Sequence, residues 1–205
     1  FMNQNKYQFS LINKNLKAYY KKKKFLGRLI IPDFNKYKKI KPRIKASYLK
    51  SNINDENMSH VYALSKLLKI SEKSLLKSLN TFIGLPHRYE IFLKRKNCVF
   101  INDSKATTFE ATRFALKNTK SIFWIVGGLP KKNDKIILKN LKKNIIRSYI
   151  IGKNTNFFKK QIKKDLNFCV SKTLKRSVIN ILKDIKLFNK QKNSILLSPA
   201  AASFD

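Results

Sequence analysis

From about residue 85 onward, short apolar runs alternate with amphipathic stretches. Strand-like runs fall at Tyr89–Leu93, Cys98–Ile101, Ser121–Val126, Arg147–Ile151, Asn167–Val170 and Ser194–Leu197. Helical spacing of apolar residues lies between most of them, over Thr108–Asn118, Asp134–Asn144, Asn156–Lys164 and Thr173–Lys186. Few residues separate the first two runs, so they are expected to pair as a hairpin. The remaining β-α-β-α alternation requires a mostly parallel sheet with helices on both faces. In such sheets ligands bind beyond the carboxyl ends of the strands, near a switch in strand order.

Upstream the pattern differs. Residues 6–50 read as irregular strands, with apolar runs at Tyr7–Asn13 and Gly27–Pro32 around a Lys21–Lys24 run expected at a solvated turn or helix end. Met58, Val61, Leu64, Leu67 and Leu68 then recur at helical spacing, with Asn54 or Asp55 available as a cap. Ser71 opens a second helix carrying Leu75, Leu76 and Leu79, which completes a helical hairpin. Gly84 and Pro86 stop it, and a domain boundary is expected there, dividing residues 1–84 from 85–205.

Three strand ends are unusually polar or glycine-rich. Cys98–Ile101 runs into Asn102-Asp103-Ser104-Lys105, with Thr107 or Thr108 placed to cap the next helix. A helix N-terminus there favours an anion, and Lys105 adds a point charge. A carboxylate such as Asp103 can accept hydroxyl hydrogens, as from a ribose. Equally, Asp103 and Ser104 are placed to form an Asx-type turn. Ser121–Val126 runs into Gly127-Gly128, where backbone can approach a ligand closely, and Lys131 or Lys132 follows as a partner for a carboxylate. No Gly-Lys-Ser/Thr follows, so this is no Walker loop. By itself the segment reads as a tight β-to-α turn. Ser194–Leu197 ends in Ser198-Pro199 and then small residues up to Ser203. Three such ends in one sheet point to a shared cleft.

Composition changes this picture only in part. The 205 residues carry 46 Lys and Arg against 11 Asp and Glu, a formal net charge of +35. That balance invites a nucleic-acid or acidic-surface partner. Only seven of the basic residues are Arg, however, and Lys is spread from end to end. Base and phosphate readers gather Arg forks on one face, so no dedicated nucleic-acid role is expected, and a basic binding module remains the competing reading. Cys98 and Cys169 sit in apolar runs without a C-x-x-C spacing, which fits small buried side chains in a reducing compartment. No run of about 18 apolar residues implies a membrane span. Phe1-Met2-Asn3 has no signal-peptide pattern and reads as the interior of a longer protein, with Met2 not a true start.

Taken together, Gly84–Glu90 (GLPHRYE), Ile101–Thr108 (INDSKATT), Val126–Lys131 (VGGLPK) and Leu196–Asp205 (LLSPAAASFD) resemble, in order and spacing, the D-glutamate-adding branch of the Mur ligase family of peptidoglycan synthesis. Glu56–Ile70 resembles a helix at the end of that family's central domain. The resemblance is firm over residues 54–205 and loose over 1–51. It implies a C-terminal Rossmann-like domain, truncated at its end, preceded by the tail of a central α/β ATPase domain. It implies ATP-dependent joining of D-glutamate to UDP-N-acetylmuramoyl-L-alanine through an acyl phosphate, with ATP and Mg2+, in a monomeric cytoplasmic enzyme.

The same resemblance distributes roles. Arg88 and Asp103 reach the nucleotide's phosphate and ribose, and Asn57 contacts adenine. His60 stands where the family often has a second asparagine, and Glu56 where it has a histidine. Thr107 and Lys131 hold one D-glutamate carboxylate, and Ser203 with the backbone of Phe204 holds the other. Lys105 acts electrostatically as the catalytic residue. No metal ligand is assigned, because the phosphate loop, the carbamylated lysine and the UDP-binding domain of the family have no counterpart here. The chain alone is therefore expected not to catalyse. The folylpolyglutamate synthase branch shares the architecture, but the Asp-Ser-Lys-Ala-Thr and Ser-Pro-Ala motifs stand against it.

Overall fold

A computed structural model describes residues 3–23, 25–50, 54–131, 134–188 and 192–202. The chain divides into two units, residues 1–83 and 84–205.

The first unit holds a small parallel pair, β1 (Phe9–Leu11) and β2 (Arg28–Ile30), with Phe9 opposite Arg28. Helices dominate the rest: α1 (Lys17–Lys22), α2 (Phe34–Ile40), α3 (Ser47–Lys50), α4 (Asp55–Leu67) and α5 (Glu72–Thr81). The strand-rich reading of residues 6–50 is thus overturned around α2. There the Asp33 carboxylate accepts from the amides of Asn35 and Lys36, at 3.0 and 3.2 Å, and fixes a helix start. Tyr37, Ile40 and Ile44 then turn inward to meet Met58 of α4 and Leu75, Leu76 and Leu79 of α5. A 2.6 Å ion pair from Lys41 to Asp55, at the start of α4, anchors the same junction. The predicted hairpin is present, and Ser71 caps α5 by accepting from the Ser74 amide. The expected apolar face of α4 is not its buried one. Only Met58 of that stripe is buried, while Val61, Leu64 and Leu68 are 40%, 44% and 60% exposed. Contact with α2 selects the side bearing Met58 and Ser59.

In the second unit, β3 (Glu90–Arg95), β4 (Cys98–Asn102), β5 (Ile122–Gly127), β6 (Ile145–Ile151), β7 (Phe168–Lys172) and β8 (Asn193–Leu197) form one sheet in the order β3-β4-β8-β5-β6-β7. The β3–β4 hairpin is antiparallel and every other pairing is parallel. All six residues of β5 are buried, as expected of a central strand covered on both faces. Ile122, Trp124 and Val126 join one core with Phe109 and Leu116 of α6 (Phe109–Asn118) and Phe158 and Ile162 of α7 (Thr155–Ile162). Phe123 and Ile125 face the other way and join Tyr149, Ile195 and Ile181 of α8 (Leu174–Ile185). Period-two alternation along one strand therefore feeds two cores. The caps follow the sequence: Thr108 accepts from Ala111 N and Thr173 from Arg176 N.

The helix expected over Asp134–Asn144 does not form. Among its described residues only Lys142–Asn144 makes a 3-10 turn. Ile136, Leu138 and Leu141 are still buried. The Gln161 side chain accounts for this: its oxygen accepts from Ile136 N and its nitrogen donates to Asp134 O. Satisfied from α7, this backbone needs no helical ladder of its own.

Candidate functional site

The three strand ends singled out in the sequence lie side by side because β8 returns between β4 and β5. Backbone bonds carry each ladder past the strands. Asp103 N donates to Leu197 O at 2.7 Å, Ser198 N to Ile125 O at 3.2 Å, and Gly127 N to Pro199 O at 3.0 Å. The Asp103 side chain is buried. One of its oxygens accepts from the Ser198 hydroxyl at 2.7 Å and the other from Tyr89 N at 3.0 Å. Thr112 of α6 lies 3.0 Å behind Ser198 Oγ. Burial pushes the Asp103 carboxyl above its ordinary value, against the opposing effects of the Ser198 and Tyr89 bonds and the Arg88 charge. The Asx-type turn expected of Asp103 is instead made by Asn102, whose side chain accepts from Ser104 N at 3.1 Å.

Arg88, Asp103 and Lys105 are brought together. Arg88 sits between His87 and Tyr89, both at positive φ, in a turn where its N–H bonds Leu85 O. That turn is strapped to the β4 end by Tyr89 N on Asp103 and by Lys105 N on His87 O at 3.0 Å. The side chains of Arg88, Lys105 and Thr107 are exposed. Ala106, just before Thr107, accepts from Ala200 N at 3.1 Å, so the β4 and β8 loops are joined here as well. Lys131 follows a short antiparallel bridge between Leu129 and Ala202. Its N–H donates to the Asp134 carboxylate at 3.0 Å, and its own side chain is exposed. Ser203, Phe204 and Lys132 lie outside the described residues.

The glycine pair also has a packing reason. A Cβ on Gly127 would stand 2.1 Å from Ile151 O, and one on Gly128 2.5 Å from Ala202 O. The glycines let neighbouring chain segments close on each other.

A cleft of about 680 Å³ opens along this edge. Ser104, Gly127, Gly128 and Pro199 line one end, and Gly152, Lys153, Thr155, Lys172 and Thr173 the other. Asp103, Lys105, Thr107 and Lys131 are not part of its lining. The second group went unread in the sequence, although Ile151-Gly152-Lys153 repeats the signal of an apolar strand running into glycine and then lysine.

A scan against protein families finds no match. Individual relatives are found. The chain is 34% identical over 164 residues to the UDP-N-acetylmuramoylalanine–D-glutamate ligase of Wolbachia sp. subsp. Brugia malayi (strain TRS), covering 79% of this chain and 33% of that one. It is 34% identical over 157 residues to the ligase of the same name from Rhizobium meliloti (strain 1021), covering 77% and 34%. Over more than three quarters of its length the chain is similar to these Mur ligases. It spans about a third of the length of these relatives. Among solved structures it resembles MurF from Acinetobacter baumannii with a TM-score of 0.56 at 15% identity, over 72% of this chain and 35% of that one. It resembles the MurF ligase of Thermotoga maritima in complex with ADP with a TM-score of 0.51 at 15% identity, over 71% and 34%. At that identity the likeness speaks for the fold alone, and for about a third of each Mur ligase.

Asn57 and His60 belong to the first unit. Asn57 is exposed on the first turn of α4. His60 is half-buried, with Nδ1 2.9 Å from Glu56 O, so Nδ1 carries the hydrogen and Nε2 is left as an acceptor. Glu56 accepts from the Asn13 amide. A cavity of about 410 Å³ lies here, with Asn13, Pro32, Phe34, Glu56 and His60 in its wall. Among the described residues no three His, Cys, Asp or Glu side chains gather to hold a cation. They do not by themselves make a Mg2+ site. No helix of the described residues is long and apolar enough to cross a membrane.

Proposed function

We propose that this chain supplies the D-glutamate-binding and part of the nucleotide-binding surface of an ATP-dependent ligase. That ligase joins D-glutamate to UDP-N-acetylmuramoyl-L-alanine in a monomeric cytoplasmic enzyme. The single observation that carries the reading is the insertion of β8 between β4 and β5, which sets the Ser198-Pro199-Ala200 segment against Asp103 and Gly127. Residues 1–83 are read as part of a central ATPase domain and 84–205 as the amino-acid-bringing domain.

Such a ligase transfers the γ-phosphoryl group of ATP to the alanine carboxylate with release of ADP, and the acyl phosphate so formed gives the carbonyl carbon a leaving group. The amine of D-glutamate then attacks that carbon, and the tetrahedral intermediate collapses to amide and phosphate. The protein's part is to position two anionic partners and offset developing charge. Arg88, exposed in its strapped turn, meets a nucleotide phosphate. Asp103 is held by Ser198 and Tyr89, and each oxygen keeps a second lone pair for a ribose hydroxyl. Lys105 adds positive charge between the nucleotide and the amino acid. Thr107 and Lys131 take one carboxylate of D-glutamate, and Ser203 with Phe204 N–H takes the other. Asn57 and the His60 Nε2 acceptor face adenine, whose amino group is a matching donor.

The test is titration of D-glutamate into this chain by calorimetry. Thr107→Ala and Lys131→Ala are each expected to weaken binding about tenfold, the worth of one hydrogen bond to a charged group. Unchanged affinity in both variants removes the carboxylate assignment. L-glutamate binding as tightly as D-glutamate returns the folylpolyglutamate synthase branch to first place.

A further inference from the structure

The cleft is longer than the site just described. Its far end is built by the β6 and β7 strand ends, and neither the motifs nor the proposed glutamate grip reaches them. Lys153 and Lys172 stand there with the hydroxyl residues Thr155 and Thr173, and among the described residues no carboxylate lines the cleft.

Lysines are common in this chain, so their presence alone decides nothing. Among the described lysines only Lys69 and Lys172 have a positive φ, and of these Lys172 is the one that lines the cleft. Its φ is 63°, in the left-handed region that favours glycine. Thr173 N donates to Ser171 O at 2.7 Å across it, which closes a three-residue turn of the strained hand. Gly152 N donates to Lys172 O at 2.8 Å and locks the turn against the β6 end. A glycine would hold this position without strain, yet a long cation occupies it on the wall of a cavity. Strained residues that the surrounding structure holds in place gather at ligand sites. The turn also fixes where the next helix begins. Thr173 caps α8 while Thr155 opens α7, so both positive helix ends lie at this end of the cleft.

We propose that the β6–β7 end of the cleft is an oxyanion-binding site, with Lys172 as its principal cation and Lys153 beside it, for a carboxylate or a phosphate of a small ligand. The site is separate from the glutamate grip and stands whether or not Thr107 and Lys131 hold an amino acid. Diffuse attraction by a chain of net charge +35 is the alternative that a test must separate.

The experiment titrates inorganic phosphate and, separately, glutarate into the isotope-labelled 205-residue chain at fixed ionic strength, with amide shifts as the readout. The Gly152, Thr155 and Thr173 amides are expected to move together and saturate. Lys172→Met is expected to weaken binding about tenfold. Lys183→Met, on the exposed side of α8, removes the same charge and is expected to change affinity less than about twofold. Lys172→Gly relieves the turn, so it should melt no lower than the parent and still lose affinity as Lys172→Met does. Saturation by phosphate alone, or by glutarate alone, supports the site and names its anion. Equal losses in Lys172→Met and Lys183→Met overturn it in favour of diffuse charge, and saturation by neither anion overturns it outright. Thr107→Ala in the same titrations is expected to leave phosphate binding unchanged; a loss equal to that of Lys172→Met would merge the two sites and overturn the proposal.

Discussion

Ser198 donates its hydroxyl hydrogen to Asp103 at 2.7 Å, joining residues 95 apart in sequence. The bond ties the carboxyl end of β8 to that of β4, and Trp124 Nε1 on Ser198 O at 2.8 Å adds β5 to the same knot. Asp103 is thus a structural tie before it is a ligand group. Any nucleotide contact it makes is made by a carboxylate already oriented from two sides.

Removing the tie should be costly. Ser198→Ala leaves a buried carboxylate with one fewer donor and is expected to destabilise the second unit by about 2 kcal/mol. Urea unfolding followed through Trp124, fully buried and the chain's single tryptophan, measures this directly. A change within a few tenths of a kcal/mol would show that Tyr89 N and Arg88 suffice.

The raised pKa of Asp103 gives stability a definite pH slope. Its folded value lies above the ordinary 3.8. Between the two values the folded chain binds more protons than the unfolded one, so this group's contribution falls as pH rises through that window. Compared with Asp103→Asn, the parent should therefore gain stability as pH is lowered from neutral toward about 3.8. A relative loss over the same range would mean that the hydrogen bonds and Arg88 outweigh burial.

The glycines separate close approach from backbone strain. Gly127→Ala drives a methyl group into Ile151 O and should cost about 3 kcal/mol or more. Gly84 also has a positive φ, of 99°, but open space around it, so Gly84→Ala should cost only about 1 kcal/mol. Similar losses at both positions, in melts of the two variants, would show that strain rather than contact governs the β5 end.

Much of the fold was legible because its signals are local. The apolar run of β5, the Thr108 cap and the Ser71 start of α5 each depend on a few neighbouring residues. The failures have long-range causes. Asp134–Asn144 has an apolar pattern that fits a helix, but Gln161, 25 residues away from Ile136, binds the backbone of Asp134 and Ile136 instead. In α4 the periodicity was real, yet contact with α2 chose the other face. The site followed the same division. Asp103, Gly127 and Ser198 could be singled out by composition at strand ends, and Gly152-Lys153 carries the same signal, whereas Lys172 joins the cleft wall only through the placement of β7.

The sequence by itself determined the class of sheet, the polar punctuation of its strand ends and the family to which the motifs point. These rest on periodicity and short motifs, which a linear chain carries intact. Tertiary structure alone decided that Asp103 is bound by Ser198, that the glycine pair serves chain packing, and that Lys172 occupies a strained turn on a cleft wall. Each of these depends on which segment lies beside which, and that is settled by the return of β8 between β4 and β5.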